Sequence, residues 1–414
     1  MRLVLVTLAA TWLLPSAVLA ADWPQWRGPA RDGIAAGGAD WPAKLDGQSL
    51  TQVWQVPDLG PSYSGPIVAD GKVFTTQTVG AKTEVASAYD RATGKKLWAT
   101  QWAGSMTVPF FAAKNGSWIR ATPAYAAGKL YVAGILDVLV CLDATSGKEV
   151  WRYDFPKELS SPAPAFGAVC SPLVDDAGVY AQAGASFVKL DRLTGKLLWR
   201  SLKDDGGMNG SAFASPVLAT VGGREQLLVQ TRTKLAGVGR DTGEVLWEQP
   251  IAAFRGMNIL TPLPVGTDGV FTSTYGGTSQ LVRLTGGDGK LTPTPAWSVK
   301  YEGHMTSPVV VGGHAYLLGR DQRFACFDLK AGAEVWRSEK RFGQYWSLVA
   351  KGDKILALDD RGTLFLVKAN QKEFEPLGEC KVADTSAWAH LAVADDDVVV
   401  RDLNSLTLRR WAAK

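Results

Sequence analysis

The chain has 414 residues, 46% of them hydrophobic and 20% charged, with 44 Lys and Arg set against 40 Asp and Glu for a net charge of +4. That size and apolar content allow a large core, and length alone would permit two or three domains. Basic residues are interspersed among acidic ones with no phosphate-binding stripe, which excludes nucleic acid as an expected partner.

Residues 1–20, MRLVLVTLAATWLLPSAVLA, place Arg2 before an apolar run, break it at Pro15 and end on small residues at Val18 and Ala20. This is the pattern of a secretory signal peptide cleaved near Ala20. An uncleaved anchor would need a longer uninterrupted apolar run. No Cys stands near the cleavage point for lipid attachment, so the expected mature protein is secreted or periplasmic, without a membrane anchor, and monomeric. Residues 21–50, including DWPQWRGPARDGIAAGG, read as an irregular N-terminal cover. TQVWQV around Trp54 then reads as an outer strand with no preceding strands to join.

From 51 to 414 the chain reads as one domain, because a single motif returns along it. Asp, then Gly four residues on, then Trp four further occurs as Asp90, Gly94, Trp98 and as Asp143, Gly147, Trp151. It recurs as Asp191, Gly195, Trp199 and as Asp328, Gly332, Trp336, with a weaker copy at Gly243 and Trp247 that has Gly239 in place of the Asp. The Trp residues of the set lie roughly 40 to 53 positions apart, a period that signals a repeat architecture. An apolar run before each Asp, a Thr/Ser-Gly turn and a run ending on Trp make one hairpin. Segments such as ATPAYAAGKLYV make a second hairpin upstream.

Four short antiparallel strands per repeat cannot bury both faces alone and must stack on like neighbours. The repeats run approximately over 62–102, 119–153, 168–202, 212–249, 258–299, 304–338 and 345–381. Repeat five has a stretched turn before Trp297, and the closing segment of repeat seven, LFLVKANQKEFEPLGEC, has no Trp. Residues 388–411 supply about three strands, and pairing them with 51–56 completes an eighth unit and removes two exposed edges. The predicted fold class is all-β: an eight-bladed β-propeller of four-stranded antiparallel blades, its ring closed by an N-terminal strand in the last blade.

In such blades the turns joining first to second and third to fourth strands share one face, and here they are short and repetitive. The other face carries the long, varied connections, where binding sites sit on a rigid frame. Residues just ahead of the innermost strands should crowd the channel mouth there: Tyr63, Arg120, Phe213, Asn258, His304, Trp346 and Trp388, with Asn209 and Arg255 slightly further back. Aromatics, two Arg, an amide and a His suit an anionic or planar ligand, or merely plug the channel. His304 has no second His or carboxylate at metal spacing, so no metal site is expected. Cys141, Cys170, Cys326 and Cys380 form no CxxC or adjacent pair and read as core thiols.

The repeated D-x-x-T-G-x-x-x-W hairpin with its SPVV-type strand resembles the pyrroloquinoline-quinone (PQQ) propeller superfamily, and the opening DWPQWRGPARDG is similar to the start of a secreted bacterial group within it. The resemblance implies eight blades. It also implies a PQQ-dependent oxidoreductase as one reading, but the vicinal Cys pair and the calcium and base carboxylates of those enzymes have no counterparts at the channel-mouth positions. The chain also resembles the propeller scaffold subunit of the outer-membrane barrel-assembly machinery, without its lipid-anchor Cys. The resulting expectation is a non-enzymatic binding or scaffold module that needs no cofactor and meets a protein or peptide on its variable face. The alternatives are PQQ and calcium chemistry, or carbohydrate binding through Tyr63, Trp346 and Trp388.

Overall fold

The recurring hairpin turn is built by its own side chains. The Asp90 carboxylate accepts from the Thr93 amide at 2.9 Å and the Thr93 hydroxyl at 2.7 Å, and the Gly94 amide closes the turn on the Asp90 carbonyl at 2.9 Å. Asp143 does the same with Ser146, and Asp191 with Thr194. Where Gly239 replaces the Asp, the Gly243–Gly239 backbone bond remains at 2.9 Å without a carboxylate cap.

The Gly and the Trp of the motif meet between blades rather than within one. In the computed structural model, which describes residues 21–110, 113, 116–204, 212–286 and 290–412, three of these Trp residues lie over the Gly of the following blade: Trp98 on Gly147, Trp151 on Gly195, Trp199 on Gly243. The indole N–H donates to a carbonyl of that next turn, as in Trp98 to Ala144 at 3.1 Å and Trp151 to Arg192 at 3.2 Å. A side chain on the Gly would strike the ring, and the turn needs its positive φ. Two copies differ: Trp336 meets a turn without that Gly and donates to the Asn370 carbonyl at 2.8 Å, while the neighbour of Trp247 has the stretched turn, and the Trp247 N–H turns back to Gln226 of its own blade at 2.6 Å.

Eight four-stranded antiparallel sheets result, including full sheets from the degenerate repeats at 263–299 and 346–381. The predicted closure is present. Leu50–Val56 forms the outermost strand beside Leu406–Trp411, with Leu50 opposite Trp411 and Trp54 opposite Leu408. Trp54 then donates to the Arg91 carbonyl of the first blade at 2.9 Å and covers Gly94, so it performs across the closure what the other Trp residues do elsewhere. Third strands such as Val138–Asp143 are buried along nearly their whole length because a blade lies on each side. Outer strands such as Glu149–Asp154 are half exposed. Cys141 and Cys326 are fully buried on third strands as free thiols.

The N-terminal segment is more than a cover. Trp23 pairs with Val68 in the first blade and Ile34 with Ala350 in the seventh, near the scaffold-turn ends of innermost strands, so the stretch between them dips into the channel. Arg27 and Arg31 are buried there and donate to carbonyls of the surrounding blades: Arg27 to Pro308, Arg31 to Pro172 at 2.8 Å and to Ser171 at 2.9 Å. The channel is stopped from the scaffold side. The expected signal peptide, residues 1–20, lies outside the described residues. Among the described residues, no helix is long and apolar enough to cross a membrane.

Candidate functional site

Most innermost strands are entered through a Ser or Thr followed by Pro, as at Thr122, Ser171, Ser215, Thr261 and Ser307. Proline holds the preceding residue extended and supplies no N–H of its own, so the ladder cannot satisfy this stretch and a side chain must. The hydroxyls do so between blades. Thr122 accepts from the Gly65 amide at 3.0 Å, Ser171 from Thr122 at 2.9 Å, Ser215 from Ser171 at 3.0 Å, and Ser307 from Thr261 at 3.1 Å. This belt fixes the strand entrances around the axis, and above it the residues leading into the strands enclose a cavity of about 360 Å³ open to the variable face.

Five of the nine residues expected at the channel mouth line that cavity: Tyr63, Arg120, Phe213, His304 and Trp388. Tyr63 lies 5.7 Å from Trp388, and the Arg120 guanidinium stands over the Tyr63 ring at 5.4 Å. Arg120 donates to the Gly116 carbonyl at 2.7 Å, while its Nε is buried without an acceptor. His304 packs on Tyr275 at 5.4 Å, and its Nδ1 is 2.8 Å from the Gln344 carbonyl, so the neutral ring carries its proton there. Burial lowers the His304 pKa below that of a free imidazole, favouring that neutral form.

The other four are placed differently. Trp346 is fully buried between blades, 4.4 Å from Phe342 and 4.9 Å from Phe324, and its neighbour Tyr345 takes the cavity position instead. Asn258 is also buried and donates to the Thr231 and Arg232 carbonyls at 2.9 and 3.0 Å, while Met257 and Ile259 face the cavity. Both corrections have one cause: in extended chain a shift of one residue sends the side chain to the opposite side. Arg255 is exposed in a short turn, over Phe254 at 5.2 Å and away from the cavity wall. Asn209 lies outside the described residues.

Trp26 is the main addition. It comes from the N-terminal plug, makes the cavity floor, packs edge-on against His390 at 4.9 Å and donates to the Thr261 hydroxyl at 3.0 Å. Nothing periodic in DWPQWRGP marks it. Tyr345 and Trp388 stack at 5.7 Å with planes 14° apart to form one wall.

The site is one-sided in charge as well as in access. Arg120 and His304 are in the wall, and among the described residues no Asp or Glu is. Arg31 donates to the carbonyl of Ser171, whose side chain lines the cavity, and Arg27 lies close enough to Tyr345 to influence its ionisation. Burial lowers the pKa of Arg27 to about 10 and of Arg31 to about 9, which leaves both cationic at neutral pH. Among the described residues, none of these three arginines forms an ion pair with a carboxylate, and no group of three or more His, Cys, Asp or Glu could hold a metal. The arrangement can hold a negative charge beside aromatic surface. Among the described residues it offers no carboxylate to act as a base.

These repeats match known proteins. The chain is 23% identical over 362 residues to the outer membrane protein assembly factor BamB of Shewanella oneidensis, covering 83% of each. The crystal structure of BamB from Moraxella catarrhalis is similar in fold, with a TM-score of 0.62 at 15% identity over 87% of this chain and 100% of that one. Quinohemoprotein alcohol dehydrogenase from Comamonas testosteroni gives 0.65 at 14% identity over 97% and 82%. The two structural likenesses establish the propeller, and a PQQ-repeat profile matches residues 81–338: the chain belongs to the family described as outer membrane protein assembly factor BamB.

Proposed function

We propose that this chain is an exported, non-enzymatic propeller that presents its variable-loop face to a protein or peptide. The observation that carries the reading is the channel-mouth cavity, lined by residues that lead into the innermost strands, aromatic, and without a carboxylate among the described residues of its wall. Around it the loops expose large apolar side chains, Phe110 at 90% and Phe254 at 49%. Apolar surface of this kind beside a pocket suits a partner better than solvent. The naming of relatives as assembly factors supports a binding role.

A quinone enzyme of the same fold would need hard oxygen ligands for calcium and a base near the substrate. The described residues of the wall supply neither, so that donor set does not fit the chemistry, and the four thiols are free. Addition of PQQ and Ca²⁺ to the purified protein is expected to give no dye-linked oxidation of alcohols or sugars, and turnover would contradict the reading. The direct test is a photocrosslinking amino acid at Phe254, compared with one at Leu193, which is 59% exposed in a scaffold turn. In cells of the source organism, Phe254 should give a discrete protein adduct and Leu193 none. Equal labelling from the two positions would remove the variable face as the binding surface.

A further inference from the structure

We infer that the channel-mouth cavity captures the C-terminal end of a partner polypeptide, its terminal carboxylate received by Arg120 and its last side chain, apolar or aromatic, held between Tyr63 and the Tyr345–Trp388 wall. This rests on the reading of the variable face as a partner surface and specifies what enters it.

Three features of the cavity select that occupant. The first is charge. Arg120 is a largely buried cation whose hydrogen-bond acceptor is one backbone carbonyl, with an aromatic face as its other neighbour. Removing a guanidinium from water without a counter-ion is costly, and a carboxylate entering from solvent would recover that cost through charge-assisted bonds. Arg31 is buried below the floor with no ion pair among the described residues and adds positive potential from the same direction, while the charge of Arg27 is partly offset by the nearby Asp32.

The second is shape. Trp26 floors the cavity through its bond to Thr261, and the plug beneath is tied to the carbonyls of Pro308, Pro172 and Ser171. A segment cannot pass through, so an end or a single side chain must enter. The volume of about 360 Å³ is near the small end of the range of about 300–1,000 Å³ common for ligand cavities.

The third is composition. An Asp or Glu side chain would bring charge on a thin stem and leave the aromatic walls poorly covered. A chain end carries its carboxylate and its own side chain on one Cα, which matches a cation set among rings. A phosphate would bring a second charge, and only Arg120 among the three arginines lines the wall.

The probe is a short peptide, acetyl-Gly-Ala-Phe, added to the full-length protein and followed by calorimetry, with the change in tryptophan fluorescence on binding compared with that of a Trp388→Phe variant. The free-acid form should bind saturably, and the same peptide as a C-terminal amide should bind about tenfold or more weakly, because the charge-assisted bonds to Arg120 are lost. Arg120→Gln should reduce the acid to the level of the amide while the protein still melts cooperatively. Equal affinity of acid and amide, or full affinity in Arg120→Gln, would overturn the inference. If that variant does not fold, the acid–amide comparison on the unaltered protein decides. 3-Phenylpropionate binding as tightly as the peptide would also overturn it, by making this a site for free aryl carboxylates. A specific adduct from Phe254 with no binding of either peptide would defeat this inference alone and leave the partner-binding face standing.

Discussion

Gly147 and Trp98 concentrate the logic of the repeat in a single contact. A Cβ at Gly147 would stand 2.6 Å from the Trp98 ring, and its φ of +73° is one that L side chains rarely adopt. Gly147→Ala combines backbone strain with a steric clash at a blade interface and is expected to cost about 2–4 kcal/mol, read as a lower urea midpoint. Trp98→Phe removes the indole donor from the Ala144 carbonyl, at about 1–2 kcal/mol. Because the two changes break the same contact, the double variant should lose less than the sum. Full additivity would mean that Gly147 and Trp98 do not bear on each other. The pairing was half legible: both residues recur at fixed spacing, but spacing within one hairpin cannot say that each meets its partner in the next blade. At the channel mouth the residue scale is where reading by position failed. Trp346 and Asn258 each point away while Tyr345, Met257 and Ile259 point in, and the irregular chain ahead of an innermost strand gives no alternation by which to set the parity.

At the scale of elements, the hairpins joining second to third strands on the variable face are latched blade to blade by buried carboxylates. Glu84, on the strand Thr83–Asp90, accepts from the Ile135 amide of the next blade and from the Trp102 indole, both at 2.8 Å. Asp137 accepts from the Gly184 amide one blade further at 2.8 Å. Burial raises the Glu84 pKa to about 7 from 4.5, opposed by those two donors. The unfolded chain therefore ionises first as pH rises, so this group's contribution to stability is complete below about pH 4.5 and is lost as pH climbs through 7. Wild-type stability should fall between pH 5 and 8 by an amount on the order of 3 kcal/mol from this site, and Glu84→Gln, though weaker at low pH, should lack that slope in denaturant titrations. A parallel slope in the two proteins would assign the pH dependence elsewhere. The latch was not visible in QTVGAKTEVA, where Glu84 looks like any surface carboxylate. The N-terminal plug escaped for a related reason: with no strand period, its buried Arg27 and Arg31 could not be told from solvent-facing charges.

For the whole molecule, ring closure governs everything else. The count of eight and the orphan strand at Trp54 were legible, because one strand left over at the N-terminal end and about three at the C-terminal end together make one more blade. Whether repeats five and seven form full blades was not, since their hairpins depart from the motif. If the strand Leu50–Val56 did not complete the last blade, that blade would lack its outermost strand and the first blade would lose the Trp54 cover on Gly94. The register can be tested covalently. Thr51 and Arg410 are direct partners across the closing strand pair, at a separation that an engineered disulfide can span. Thr51→Cys combined with Arg410→Cys should oxidise to an intramolecular 51–410 disulfide in the folded monomer, identified by peptide mass spectrometry without reduction. Recovery of both introduced thiols unpaired, or linked only between molecules, would contradict the closed ring.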